Sequence, residues 1–549
     1  MSIESQDFDF IVVGAGSAGA PIAARLSESG EHNVCLVEPG GKTATLNHRI
    51  PLNTVNIMQD SRWAWQFTSG PENALKGQNV FTPRGLGLGG SSAINGMLWT
   101  VGDRAAWNHW AELGNTDWNW QNVQPYLNKA EDYAGGNIAN RGRGGPIRVE
   151  EQPRERLGDA FLESCRQAGF ESAGDYNDGA TEGYAYLQTN TRAGLRCSTY
   201  DGYLKPNLSR QNLKIETGWY AERLLLNGAK AEGVEIVRRN GDAVGERMQL
   251  RARREVILCA GAYHTPMLLE RSGIGDPDRL KSMGVEVVHA NPHVGEHLQD
   301  HMRSCVTWKS KDVFTVNDII NSPFGKVRAG LEFILGRRGW LRTVTMNSQL
   351  MTRSFPEAPW PDLKLQLNAI ANDYSEQGQL GYPVEAFSGY SILTFPVHPR
   401  SQGRIHVSSM KPWDPPEILA NYYDDPHDQK VALAGIKLAR KIGNQQALKK
   451  FALEETFPGV EATSDQDLLD YIKGTGLTVY HPVGSCRMGR EGEAVVDQKL
   501  RVYGLSGLRI ADASIMPAIP ATNTNAPCIM IGERVADFIL QAAKESNRV

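Results

Sequence analysis

The stretch from Phe8 to Gly41, FDFIVVGAGSAGAPIAARLSESGEHNVCLVEPGG, constrains the fold more than any other part of the chain. Phe8 to Val13 is a short apolar, β-branched run of the kind that forms a buried parallel strand. Gly14, Gly16 and Gly19 follow as GxGxxG. A helical pattern of Ala20, Ile22, Ala23 and Leu26 runs to Gly30, and NVCLV then predicts a second strand ending at Glu38. A GxGxxG alone is a weak signal, but strand, glycines, helix, strand and acid together predict a Rossmann-type βαβ unit. Gly14 permits the tight turn, Gly16 lets the backbone approach a pyrophosphate, and Gly19 allows close helix–sheet packing. Ser17 and Ala18 open the helix, whose free N–H groups and partial positive charge suit phosphate. Glu38 can accept hydrogen bonds from ribose hydroxyls, and its charge repels a 2′-phosphate. NADP is thereby disfavoured, while FAD and NAD both stay open. The GGKT at Gly40–Thr43 is no phosphate loop, because the first glycine of GxxxxGK[ST] would fall at Leu36 inside the strand.

At 549 residues the chain exceeds the usual size of a single core, so further packed units are expected. A formal net charge of −4, with no polybasic block or basic–aromatic stripe, argues against nucleic acid as a partner. No basic, apolar leader stands at the start, and no apolar run reaches the ~18 residues of a membrane span, so a cytoplasmic enzyme is expected. Seven scattered cysteines without a CxxC read as buried small hydrophobes. With no HExxH among the histidines, no metal site is expected.

A second glycine cluster, PRGLGLGGSSAINGM (83–97), has no β-branched strand leading into it. It reads as backbone that must lie flat against a large planar ligand. Together with GAYHTPMLLERSGIG (261–275), VGEHLQDH (294–301), YHPVGSCRMG (480–489) and the closing LRIADASIMPAIPATNTNAPCIMIGERVADFI, it resembles the glucose–methanol–choline (GMC) flavin oxidoreductases, with the blocks in family order.

The resemblance implies FAD rather than NAD. Gly14, Gly16, Gly19 and Glu38 would hold the ADP half, and Arg223 would contact adenine through its backbone. Gly90 and Ser91, with Asn95, Gly96, Met97 and Leu98, would lie along the pyrophosphate and isoalloxazine. Ala511, Asp512, Asn523 and Thr524 would sit near the ribityl chain and flavin, and Tyr480 and His481 would border the ring. Some members attach FAD through a histidine just before the Asn of this loop; Ile94 stands there, so non-covalent FAD is expected. Three positions depart from the family pattern: Leu86 and Gly87 replace a common Lys-Val, and His297 replaces an Asn.

The implied fold is α/β (α+β overall): a Rossmann-like FAD-binding domain with an inserted antiparallel-sheet-plus-helix substrate domain. The expected division is 1–155, 195–305 and 475–549 for FAD, and 156–194 and 306–474 for substrate. REVILCAGA and LRIADAS are expected to join the first sheet. QLNAIANDYS and GYSILTFPVHPRSQGRIHVSS alternate as a half-exposed antiparallel sheet would, and 428–448 has helical periodicity.

The implied activity is oxidation of an alcohol, with electrons passed on to oxygen or another acceptor. A flavin takes hydride from the α-carbon while the hydroxyl proton leaves, so a base is needed, and a histidine titrates near working pH. His481 is the expected base and Asn523 the residue that orients the substrate oxygen. Choline-oxidising members carry a substrate-domain glutamate, which aligns with Asn347, so a neutral primary alcohol is expected. A choline-type dehydrogenase and a hydroxynitrile-lyase-like member with non-redox FAD are the alternatives.

Overall fold

The computed structural model describes residues 4–43, 45–136, 139–375 and 382–546. The strand Glu4–Val13 is polar at its start and buried over its last four residues. It runs parallel to Val34–Glu38 on one edge, with Phe10 opposite Val34. On its other edge it runs parallel to Ala243–Leu258, with Val13 opposite Leu258. Leu213–Thr217 extends the sheet beyond Val34–Glu38, and Leu508–Ile510 lies parallel beside Val256–Leu258, as the two late strand-like segments predict. Returns of the chain from far apart in sequence therefore build one seven-stranded sheet, completed by the antiparallel strands Lys230–Asn240 and Tyr220–Asn227.

The helix Gly19–Leu26 buries Ala20, Ile22, Ala23 and Leu26. It packs against the closing helix Asn525–Ser546, and a Cβ on Gly532 would fall 2.5 Å from the Ala18 carbonyl oxygen.

A second sheet orders its strands as Ala452–Phe457, Met302–Ser310, Gly389–Pro396, Leu363–Asn368, Met346–Thr352 and Gly183–Tyr186, each antiparallel to the next. Two expectations are corrected here. Leu363–Asn368 and Gly389–Pro396 are buried at every residue, not half-exposed. The helix Pro426–Gly443 covers one face so closely that a Cβ on Gly435 would meet Thr394 Oγ1 at 2.0 Å, and a cavity shared with the first sheet's loops lies against the other. The segment GRIH leaves this sheet altogether. Gly403–His406 pairs instead with Glu296–Leu298 and Glu417–Leu419.

The expected helix over 428–448 begins at Pro426 behind an Asp425 cap and breaks after Gly443, before a short turn at Gln446–Lys449. The seven cysteines are all buried and unpaired. Among the described residues no helix is long and apolar enough to cross a membrane, and no group of acids, histidines or cysteines could hold a metal ion.

Candidate active site

The two sheets share one cavity of about 1090 Å³. At one end it is lined by Gly14, Gly16, Ser17, Ala18 and Glu38, and then by Gly90, Ser91 and Asn95 to Leu98. At the other it is lined by Tyr480, His481, Asn523 and Thr524, facing Arg303, Gln366 and Phe395 of the second sheet.

The glycine end is shaped by contacts that side chains would prevent. A Cβ on Gly19 would lie 1.9 Å from the Gly14 carbonyl oxygen, so this glycine packs the helix and does not itself face the cavity. Gly90, at φ +49°, would place a Cβ 2.7 Å from Gly16 Cα, so the two glycine loops touch backbone to backbone. Leu88 N–H donates to the Gly41 carbonyl at 3.0 Å and Gly89 N–H to that of Ala15 at 2.8 Å, tying the loops together. Gly87, where the family commonly has valine, sits at φ +133° and sends its N–H to Glu38 Oε1 at 2.9 Å. Gly40 N–H donates to the same oxygen and Ala15 N–H to Oε2, both at 3.0 Å. Burial pushes the Glu38 carboxyl up to about 7, against these three hydrogen bonds.

The loop after Gly90 is clamped from below by Arg196. Its Nη1 donates to the carbonyls of Ser92 and Asn95 and to Asn95 Oδ1, and burial lowers its pKa to about 9.

These residues fit a dinucleotide. Trp219 Nε1, Arg271 Nη1 and Asn525 Nδ2 are buried donors with no protein partner among the described residues, and all three residues line the cavity. Unsatisfied donors of this kind call for a ligand rich in acceptors, such as a pyrophosphate with its nucleoside. Ile94 lines the same wall and offers no nucleophile for attachment. Asp512 also lines the cavity, with its carboxylate taken by Gly261 N–H at 2.9 Å, Thr265 Oγ1 at 2.6 Å and Ser514 N–H at 2.8 Å. Ala511 is fully buried behind it, its N–H donating to Leu258 O at 2.8 Å, and does not reach the cavity.

Two sequence expectations fail on geometry. Arg223 does not line the cavity; its guanidinium pairs with Glu235 at 3.3 Å. A register break between Ala221 and Arg223 turns the strand, so Tyr220 and Ala221 face the cavity instead. Asn347 likewise does not line it. Asn347 donates to Glu155 Oε1, while its neighbour Met346 faces the cavity, as alternation along a strand requires.

The other end is a chain of hydrogen bonds. His301 Nε2 lies 3.0 Å from the Val397 carbonyl oxygen, His301 Nδ1 lies 3.0 Å from His481 Nδ1, and His481 Nε2 lies 3.0 Å from Asn523 Nδ2. Asn523 Oδ1 accepts from Thr100 Oγ1 at 3.2 Å and from Lys364 Nζ at 3.3 Å, which points the amide nitrogen at the histidine. Backbone hydrogen bonds hold the pair in place: His481 N–H donates to Asp300 Oδ1 at 2.7 Å and His301 N–H to the same oxygen at 2.8 Å. Tyr480, just before the histidine, is held at φ +67°, with its carbonyl accepting from Arg84 Nη1 at 3.1 Å and its N–H donating to Thr478 Oγ1 at 2.8 Å. A non-glycine residue in that region is strained, and such strain gathers at functional sites.

Burial lowers the pKa of His301 to about 4 and that of Lys364 to about 7. Burial, with the nearby His301, Lys364 and Arg84, puts His481 well below its ordinary value. Sequence reasoning missed His301, Lys364 and Arg303. Only His301 lay inside a recognised block, and nothing in its spacing pairs it with a residue 180 positions later.

Residues 8–303 match the N-terminal part, and 399–532 the C-terminal part, of the GMC oxidoreductase family. The chain is 35% identical to an oxygen-dependent choline dehydrogenase of Vibrio vulnificus over 542 residues, covering 97% of this chain and 94% of that one. A homologue of the same description from Chromohalobacter salexigens is also 35% identical, covering 98% and 95%. Among solved structures, pyridoxine 4-oxidase from Mesorbium loti superimposes with a TM-score of 0.86 at 28% identity, over 96% of this chain and 98% of that one. An Aspergillus oryzae formate oxidase variant shares the fold, at a TM-score of 0.90 and 24% identity, over 99% and 100%. The chain belongs to the GMC oxidoreductase family and is an FAD-dependent oxidoreductase acting on an alcohol.

Proposed function

We propose that His481 is the base that takes the hydroxyl proton of a primary alcohol and that Asn523 holds the same oxygen. The observation that carries this reading is the direction of the hydrogen-bond chain. A carbonyl can only accept, so His301 must present Nε2–H to Val397. With a pKa of about 4, His301 is neutral, which leaves its Nδ1 as an acceptor. His481 must then donate from Nδ1, and the lone pair of its imidazole stands on Nε2, toward Asn523 and the cavity. That lone pair is the proton acceptor.

FAD, when bound, supplies the hydride acceptor. A substrate hydroxyl donating to His481 Nε2 comes within reach of the Asn523 amide, whose N–H can turn from the imidazole to the substrate oxygen. As the proton reaches Nε2, the Nδ1–H bond to His301 strengthens and spreads the new charge. Asn523 cannot carry a proton away and serves only to orient. The seven unpaired cysteines support a reducing compartment, the cytoplasm, as the place of work.

Anaerobic mixing of the yellow holoenzyme with a panel of primary alcohols tests the activity. Bleaching of the flavin band by at least one of them is expected, and a hydroxynitrile lyase would leave the band unchanged with all of them.

A further inference from the structure

We propose that the alcohol oxidised by this enzyme carries a carboxylate and that Arg303 binds it. This rests on the alcohol-oxidising reading above and departs from the neutral substrate that the sequence suggests.

Arg303 lies two residues after His301, and the segment from His301 runs antiparallel to Leu477–Val479, which leads directly into His481. Met302 pairs with Thr478, Arg303 pairs with Leu477, and Val479 N–H donates to the His301 carbonyl at 3.0 Å. Residues two apart on a strand face the same side, roughly 7 Å apart. Arg303 therefore faces the same space as the imidazole that orients the base, and it lines the cavity.

The neighbouring positions on that sheet face are apolar, neutral or cationic. Cys305 stands opposite Leu393, which stands opposite Gln366, and in the next row Phe395 stands opposite Lys364. Lys364 Nζ lies 5.9 Å from the Phe395 ring centre, so a second cation borders the same patch. Among the described residues the only carboxylates lining the cavity are Glu38 and Asp512, at the dinucleotide end, with oxygens already taken by backbone N–H groups.

Arg303 itself has one side-chain partner among the described residues, the Tyr374 hydroxyl at 3.4 Å, and no carboxylate at ion-pair distance. A half-buried guanidinium with no counter-ion among the described residues, beside a base that must meet substrate, has donors left for an anion. Gln366 Nε2, on the same face, is a buried donor with no acceptor among the described residues. One planar fork and one amide donor match a planar monoanion, and the short span from Arg303 to His481 selects a compact hydroxy acid over a long one. The same cation repels a quaternary ammonium.

The test compares 4-(hydroxymethyl)benzoate and 3-hydroxypropanoate with their own amides and with choline, as alcohols reducing the flavin of the holoenzyme. Each acid is expected to exceed its amide in kcat/KM by about tenfold or more, the range for a charged hydrogen bond. In Arg303→Met that preference should fall to about one, and in Arg303→Lys it should survive in part. Arg303→Glu should shift preference toward choline. Wild-type amides equal to their acids, a wild-type preference for choline, or an acid preference that persists in Arg303→Met would overturn the proposal. Calorimetric titration with benzoate reads the site without turnover. Binding weakened about tenfold or more in Arg303→Met supports the proposal, and equal binding rejects it. If no alcohol bleaches the flavin, the oxidation reading fails while the benzoate titration still decides Arg303.

Discussion

His301 and His481 meet nitrogen to nitrogen, Nδ1 to Nδ1 at 3.0 Å, and the carbonyl on the far side of His301 settles which of them donates. The tautomer of His481, the proposed base, is thus set by a backbone oxygen two hydrogen bonds away. Removing His301 should free His481 to populate the wrong tautomer and to rotate. His301→Ala is expected to keep its yellow colour and to slow anaerobic flavin reduction roughly ten- to hundredfold, the worth of one lost buried hydrogen bond. Stopped-flow absorbance reads it directly; an unchanged rate would show that His301 does not position the base.

His481→Ala should also remain yellow, because no other cavity contact of the dinucleotide end depends on this side chain. Its flavin reduction is expected to fall by roughly 10²–10⁴-fold, the usual contribution of a positioned base. Asn523→Ala removes about 1 kcal/mol, or some five- to tenfold. Equal losses in the two variants would contradict the division of roles.

The pH dependence has a definite sign. His481 must be neutral to accept a proton, and its pKa lies well below the ordinary 6.5 through burial, with His301, Lys364 and Arg84 adding to the effect. A depressed pKa keeps the base active to lower pH, so the acid limb of flavin reduction should fall well under 6.5. Lys364, itself lowered to about 7, carries its charge on the acid side where this limb lies. Lys364→Met removes that charge, so the His481 pKa and the acid limb should both move up. A pH–rate profile that stays in place or moves down would refute the electrostatic coupling.

Gly16 and Gly14 are two residues apart and should fail differently. A Cβ on Gly16 meets nothing nearer than Gly90 Cα at 3.9 Å, and the residue lines the cavity. Gly16→Val should therefore fold and lose FAD, giving colourless protein that melts lower because bound cofactor no longer stabilises it. A Cβ on Gly14 would lie 2.4 Å from the Cys259 carbonyl oxygen at φ +105°, so Gly14→Val should lose soluble expression instead. Far-UV circular dichroism and the flavin band of purified protein separate the two outcomes.

Acid precipitation should release all the flavin into the supernatant as intact FAD. Ile94, in the cavity wall where some relatives carry an attaching histidine, has no atom to bond it. Flavin absorbance in the washed pellet would contradict this.

Local chemistry was legible in the sequence wherever backbone geometry allowed one residue type. Gly14, Gly16, Gly19 and Gly90 stand where a Cβ would collide with backbone or project into the cavity, and Glu38 closes its strand at the cavity's edge. His297 was visible as a departure, and its φ of +63° explains it: the left-handed region that suits asparagine also tolerates histidine. What the sequence could not reveal were contacts between strands far apart in the chain. Arg223 and Asn347 were placed by alignment, but a bulge and a strand's alternation turned both away from the cavity. His301 acquires its role from a partner 180 residues on, and Lys364 from one 159 residues on. Arg303 is an ordinary charged residue until sheet pairing puts it, with no carboxylate partner among the described residues, on the sheet face that borders His481. Local sequence determines backbone conformation through sterics of neighbouring residues. The tautomer of the base and the charge of the substrate pocket depend on sheet register, which only the packed tertiary structure decides.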